Sequence, residues 1–141
     1  MDRKKLLKHL VFLMFFIFIA NNVALQFYWY YSIWWFDIVM HFLGGFWEGL
    51  FFIWFFSIKD LPLLKSPLNL NDPKLAFKTI LFVLLIGVLY EVFEFFVHNN
   101  IGRDPFDVLD TVLDIFFDLS GGAFTVWYFF KRIMSVKENT L

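Results

Sequence analysis

Asp107 to Gly121, DVLDTVLDIFFDLSG, is an apolar stretch interrupted by four carboxylates at helical spacing. Asp107, Asp110, Asp114 and Asp118 follow one another at intervals of three, four and four, which puts them on one helix face with Gly121 beneath them. Phe106, Leu109, Val112, Leu113, Ile115, Phe116 and Phe117 cover the rest. The remainder of the chain decides which solvent that apolar surface meets. Of its 141 residues 60% are hydrophobic and 24% aromatic, and several apolar runs exceed the roughly eighteen residues that mark a membrane span. Charged groups at bilayer depth are costly and rare, so an acidic stripe there reads as a functional site turned toward other helices.

The length allows one membrane domain, 1–141, and the expected fold is an all-α, polytopic four-helix bundle. Spans are expected at about 10–31, 35–58, 75–97 and 106–130 from their apolar length. The first run also resembles a signal peptide. However, no small-x-small cleavage site follows it, and hydrophobicity continues through Tyr28, Trp29, Tyr30 and Tyr31 as an aromatic belt would. Asn21, Asn22 and Gln26 are expected to make interhelical hydrogen bonds. Pro62 and Pro67 exclude one continuous helix over 59–74, which reads as a loop on the membrane surface.

Cysteine is absent, which excludes disulfides and thiolate metal sites. Neither a Gly-rich phosphate loop nor a basic, aromatic-interleaved surface is present, so membrane lipid is the expected partner and nucleic acid is not. Nothing in the sequence decides between a monomer and a homo-oligomer.

Of the 12 Lys and Arg, all but Arg103 fall in the N-terminal segment, the 59–78 region or the C-terminal tail, which four spans place on one side. The positive-inside rule makes that side cytoplasmic, with both termini inside and the protein multi-pass in the cell inner membrane.

Two further spans carry polar stripes. Asp37, His41, Gly44 and Glu48 share one face of the second, and Gly87, Glu91, Glu94 and His98 one face of the third. Counting up from each span's cytoplasmic lysine at about 1.5 Å per residue sorts these groups into layers, good to about one turn. Glu48, Glu91 and Asp118 are deepest, His41, Glu94 and Asp114 lie above them, and Asp37, His98 and Asp110 form the rim. All belong to the outer half of the bilayer, with Arg103, Asp104 and Asp107 at the mouth. Glu48 or Asp118 alone could be a protonated packing residue, but three stripes at matching depth point to one site. His9 reads as a solvated flank.

Crowded carboxylates in a low-dielectric site need protons or cations to balance them. Imidazole with carboxylates suits zinc, manganese or iron, and facing helices of a bundle can build such sites. The expected metal ligands are Asp37, His41, Glu94, His98, Asp110 and Asp114. Glu91, Asp110 and Asp114 are the catalytic candidates, and Glu48, Asp107 and Asp118 support them. Arg103 is placed to steady an anionic headgroup.

Asp37-x-x-x-His41-Phe42 with Gly44-Gly45, Tyr90-Glu91-x-x-Glu94, and Asp110-Thr111-x-x-Asp114 with Gly121-Gly122 resemble the YjdF-type bacterial inner-membrane proteins. A looser similarity reaches the VanZ-like family, a group linked to glycopeptide resistance, which also places Asp-x-x-x-His, a Glu and a late Asp on successive spans. The resemblance covers the second to fourth spans and implies the membrane fold and the polar site, without a reaction.

The leading expectation is a metal-dependent hydrolase or transferase acting on a phosphorylated or polyprenyl lipid. A proton- or cation-coupled transporter subunit is the first alternative, and a structural or assembly protein the second. A conduit needs polar groups down to the cytoplasmic face. The sequence has no ionisable group between Glu48 and Lys59, leaving only a gap beside Gly87 for water.

Overall fold

A computed structural model describes residues 3–57, 74–100 and 107–138 of the chain. The described residues are helical throughout apart from short turns: α1 Arg3–Gln26, α2 Trp29–Ser32, α3 Phe36–Phe56, α4 Leu75–Asn100 and α5 Val108–Glu138. Four segments are long and apolar enough to cross a membrane, Lys4–Gln26, Phe36–Phe56, Leu75–Val97 and Val108–Lys131. Large apolar side chains such as Phe12, Phe18, Phe77, Phe93 and Phe116 face outward, as a lipid solvent requires. The loop expected over 59–74 lies outside the described residues except for Lys74.

The first helix differs from the expected 10–31 run. It begins at Arg3 and ends at Gln26, and the chain then turns through Phe27 and Tyr28 into the short α2. Tyr28 takes a left-handed conformation, φ 57°, which costs a non-glycine residue about 1 kcal/mol. The contacts made beyond it offset that cost. The Tyr30 hydroxyl donates to Asn21 Oδ1 at 2.7 Å, so the expected Asn21 bond is made within the α1–α2 corner. Trp29 and Tyr30 set their rings edge-on against buried Phe36, at 5.5 and 5.1 Å between centroids. Lower down, Trp47 Nε1 donates to the Leu10 carbonyl at 3.0 Å and ties α1 to α3.

The most extensive helix contact is between α3 and α5, and small residues make it possible. A Cβ on Gly45 would strike the backbone of Asp118, and one on Gly121 would strike the backbone of Phe42 and Phe46. One turn along, a Cβ on Gly49 would come within 2.7 Å of Thr125 Oγ1. The Thr125 hydroxyl donates across the interface to the Phe46 carbonyl at 2.8 Å. With backbones this close, dispersion and interhelical hydrogen bonding hold the pair without any hydrophobic driving force. Beyond the glycines, Leu6, Leu10, Leu50, Phe52, Ile53, Leu75 and Phe129 pack into an apolar cluster joining all four long helices.

Candidate functional site

The close α3–α5 crossing brings His41 of α3 against Asp114 and Asp118 of α5. His41 Nδ1 lies 3.3 Å from Asp118 Oδ1, and Nε2 lies 3.5 Å from Asp114 Oδ1 and 3.7 Å from Asp37 Oδ1. A carboxylate accepts, so an Nδ1–H donating to Asp118 orients the ring and turns Nε2 toward two carboxylate oxygens. Both distances from Nε2 are too long for hydrogen bonds. They are close to the separation of about 3.4 Å between two donors that each sit about 2.1 Å from one tetrahedral ion.

Asp118 is held from both sides. Its Oδ1 meets His41, and its Oδ2 lies where a Cβ on Gly87 of α4 would come within 2.9 Å. The space beside Gly87 is therefore occupied by the Asp118 carboxylate. A carboxylate that fixes the tautomer and orientation of a ligating imidazole raises metal affinity. If His41 ligates a divalent ion, Asp118→Asn should weaken its binding by about 10- to 100-fold while leaving helix content intact, as read by calorimetric titration and circular dichroism.

A second cluster lies on the α4 side. Glu91, Glu94 and Asp114 each offer an oxygen, and the three lie within 4.8 Å of one another. Asp37, His41 and Asp114 form the other set, within the same limit. Asp114 belongs to both. Glu91 Oε1 is buried and has no hydrogen-bond partner among the described residues. Glu48 lies deeper and outside both clusters, with Oε2 likewise buried and unpartnered among the described residues.

The remaining candidates are placed as follows. Asp110 is exposed in the first turn of α5 and is in neither cluster. The Asp107 carboxylate accepts from the Leu109 backbone N–H at 2.8 Å, capping the start of α5. The backbone of His98 belongs to α4, but its side chain is outside the described residues, as are Arg103 and Asp104. Side-chain exposure rises from 5% at Asp114 through 13% at His41 to 33% at Asp37, so the site opens at the Asp37 end.

Two tyrosines at this opening were not among the expected site residues. Tyr90 packs edge-on to His41 at 6.1 Å between centroids. Tyr30, outside the spans, has its hydroxyl pushed up to about 12, by burial first and then by the charges of Asp37, Tyr90 and Glu94. Tyr90 lies next to Glu91, one residue off its acidic stripe, a weak sequence signal. Tyr30 gave none, because only the turn at Tyr28 brings it to the site.

Residues 1–135 match the model of a family described as Predicted membrane protein (DUF2238). The chain belongs to that family. Membership is consistent with the resemblance to the YjdF-type proteins. It extends over α1 as well as over the three helices that carry the site. No curated protein and no solved structure matches the chain.

Proposed function

We propose that this member of the family is an inner-membrane protein that holds a divalent metal ion on Asp37, His41 and Asp114. The ion serves hydrolysis or transfer at a phosphoryl group of a phosphorylated or polyprenyl lipid. The observation that carries the proposal is the His41 ring, fixed through Nδ1 by Asp118 and facing two carboxylate oxygens through Nε2. Zinc, manganese and iron accept such a nitrogen–oxygen set. The metal supplies Lewis acidity toward water and a phosphoryl oxygen. The chain supplies the oriented imidazole, the carboxylates and an opening at Asp37. Exposed Tyr90 and Phe93 beside that opening suit a substrate arriving from lipid. Arg103 is the cation we assign to the anionic headgroup, from its place in the sequence just before α5.

The charge bias supports an orientation with both termini cytoplasmic and the site in the outer leaflet. A reporter fused at Asn100 should then read the outside and one fused after Leu141 the cytoplasm. A cytoplasmic signal at Asn100 would reverse the orientation and move the site to the inner leaflet.

A transport role has less support. The apolar cluster of Leu50, Phe52, Ile53, Leu75 and Phe129 lies between the site and the lysine-bearing end. Thr79 and Thr125, both fully buried, direct their hydroxyls to backbone carbonyls, of Leu75 and Phe46 respectively.

The test is elemental analysis of protein purified without chelator. Wild type should retain divalent metal, His41→Ala should lose most of it, and His9→Ala should keep it. Retention should also fall as the medium is acidified, because protons compete for imidazole and carboxylate. Wild type that carries no metal, and gains no thermal stability from added zinc, manganese or iron, would sink the proposal and bring the proton- or cation-coupled transport reading forward.

A further inference from the structure

We infer that Glu91, Glu94 and Asp114 form a second cation subsite that takes a hard divalent ion such as manganese or magnesium. This subsite is joined to the His41 site through Asp114 as a bridging carboxylate. The inference rests on the metal reading above and adds the number of ions, their chemical class and the residue that couples them.

Proximity of acids alone would not carry it. The independent observation is Glu91, which is 6% exposed and whose Oε1 is buried without a hydrogen-bond partner among the described residues. Leaving a carboxylate oxygen in an apolar interior with nothing to accept from is costly, and native structures seldom do so without a ligand. Glu91 offers an oxygen to the same cluster as Glu94 and Asp114. No lysine or arginine lies between Lys78 and Arg103, or between Arg103 and Lys131, to serve as the counter-charge from α4 or α5.

Donor type then separates the two subsites. The His41 set contains an imidazole nitrogen and suits a borderline ion. The Glu91 set contains only carboxylate oxygen, the preference of harder ions that keep part of their water shell. Asp114 has two oxygens and is common to both sets, as a carboxylate is when it spans two ions about 4 Å apart. A pair at that separation can clamp both the attacking and the leaving oxygen of an in-line displacement, which one ion cannot.

The experiment loads chelator-stripped, detergent-purified full-length protein with manganese alone and reads bound ion together with the paramagnetic resonance spectrum. Wild type should bind about two ions per chain and give the exchange-coupled spectrum of a bridged pair. Glu94→Gln should bind about one and give an uncoupled spectrum, and Glu91→Gln should behave alike. Glu94 is only partly buried, so its amide variant is the one expected to keep the wild-type fold, checked by its circular dichroism. If wild type binds a single ion that Glu94→Gln retains, the second subsite is overturned and the metal proposal stands. Two ions in wild type with an uncoupled spectrum, or two still bound by Glu94→Gln, overturn it equally. If wild type binds none, the metal proposal itself fails.

Discussion

Gly45→Ala will fail to assemble as the wild type does, whereas Gly44→Ala, one residue away, will be tolerated. At Gly45 the added methyl would overlap the Asp118 carbonyl, carbonyl carbon and Cα, all backbone, so α3 and α5 must separate. Overpacking of a tight interface costs about 1–3 kcal/mol, and here no flexible side chain can absorb it, so the upper end or more is expected. At Gly44 the same methyl would sit 3.9 Å from Asp118 Oδ1, an ordinary contact, and alanine gains up to about 1 kcal/mol of helix propensity. The pair is predicted to move thermal stability in detergent in opposite directions. Because the Gly45 change displaces Asp118 itself, metal retention should fall with it. Equal stability of the two variants would mean that the helices do not cross at these glycines.

The second large effect is at Asp114. Asp114→Asn removes the charge common to both carboxylate sets, and divalent-ion affinity should drop by more than the roughly 100-fold expected for a supporting residue. Its effect on the metal-free protein should have the other sign. Asp114 is 4% exposed and faces three carboxylates, of Asp37, Glu91 and Glu94, against the one imidazole of His41, so neutralising it relieves more like-charge crowding than it forfeits attraction, without changing volume. The metal-free variant should therefore melt at least as high as metal-free wild type, and added metal should no longer raise its melting temperature. A structural aspartate would behave in the reverse way, with the variant destabilised and the metal response unchanged. Sites that retain destabilising groups for function show the first pattern.

Much of this was legible in the sequence because membrane spans announce themselves by length and composition. The helical period then fixes which residues share a face. Asp37 with His41, Glu91 with Glu94, and Asp114 with Asp118 could be assigned to common stripes before any helix was packed. How those faces meet was less accessible. Counting from the lysines put Glu91 and Asp118 a layer below His41 and Asp114. In the folded chain Asp114 joins the Glu91 cluster, and His41 reaches both Asp114 and Asp118. Side chains extend over about a turn along the axis, so a layer scheme built on Cα height blurs at that scale.

The break at Tyr28 left no trace in the sequence, since neither glycine nor proline marks it. It is held by the Tyr30–Asn21 bond, made once the chain has turned back, and by Phe36 of α3, contacts that no local residue pattern announces. Gly87 could be read as a gap, but only the fold puts the Asp118 carboxylate into it. Asp107 is the opposite case. An aspartate just before a helical run is a common cap, and that local role could have been weighed against the distant one.

The measurement that bears most directly on the central claim is an anomalous-scattering map from crystals of wild-type protein grown with manganese. A peak is predicted in the space bounded by Asp37, His41 and Asp114, within about 2.2 Å of His41 Nε2 and of an Asp114 oxygen. A map with no peak at Asp114, or with peaks only at surface carboxylates, would contradict the account.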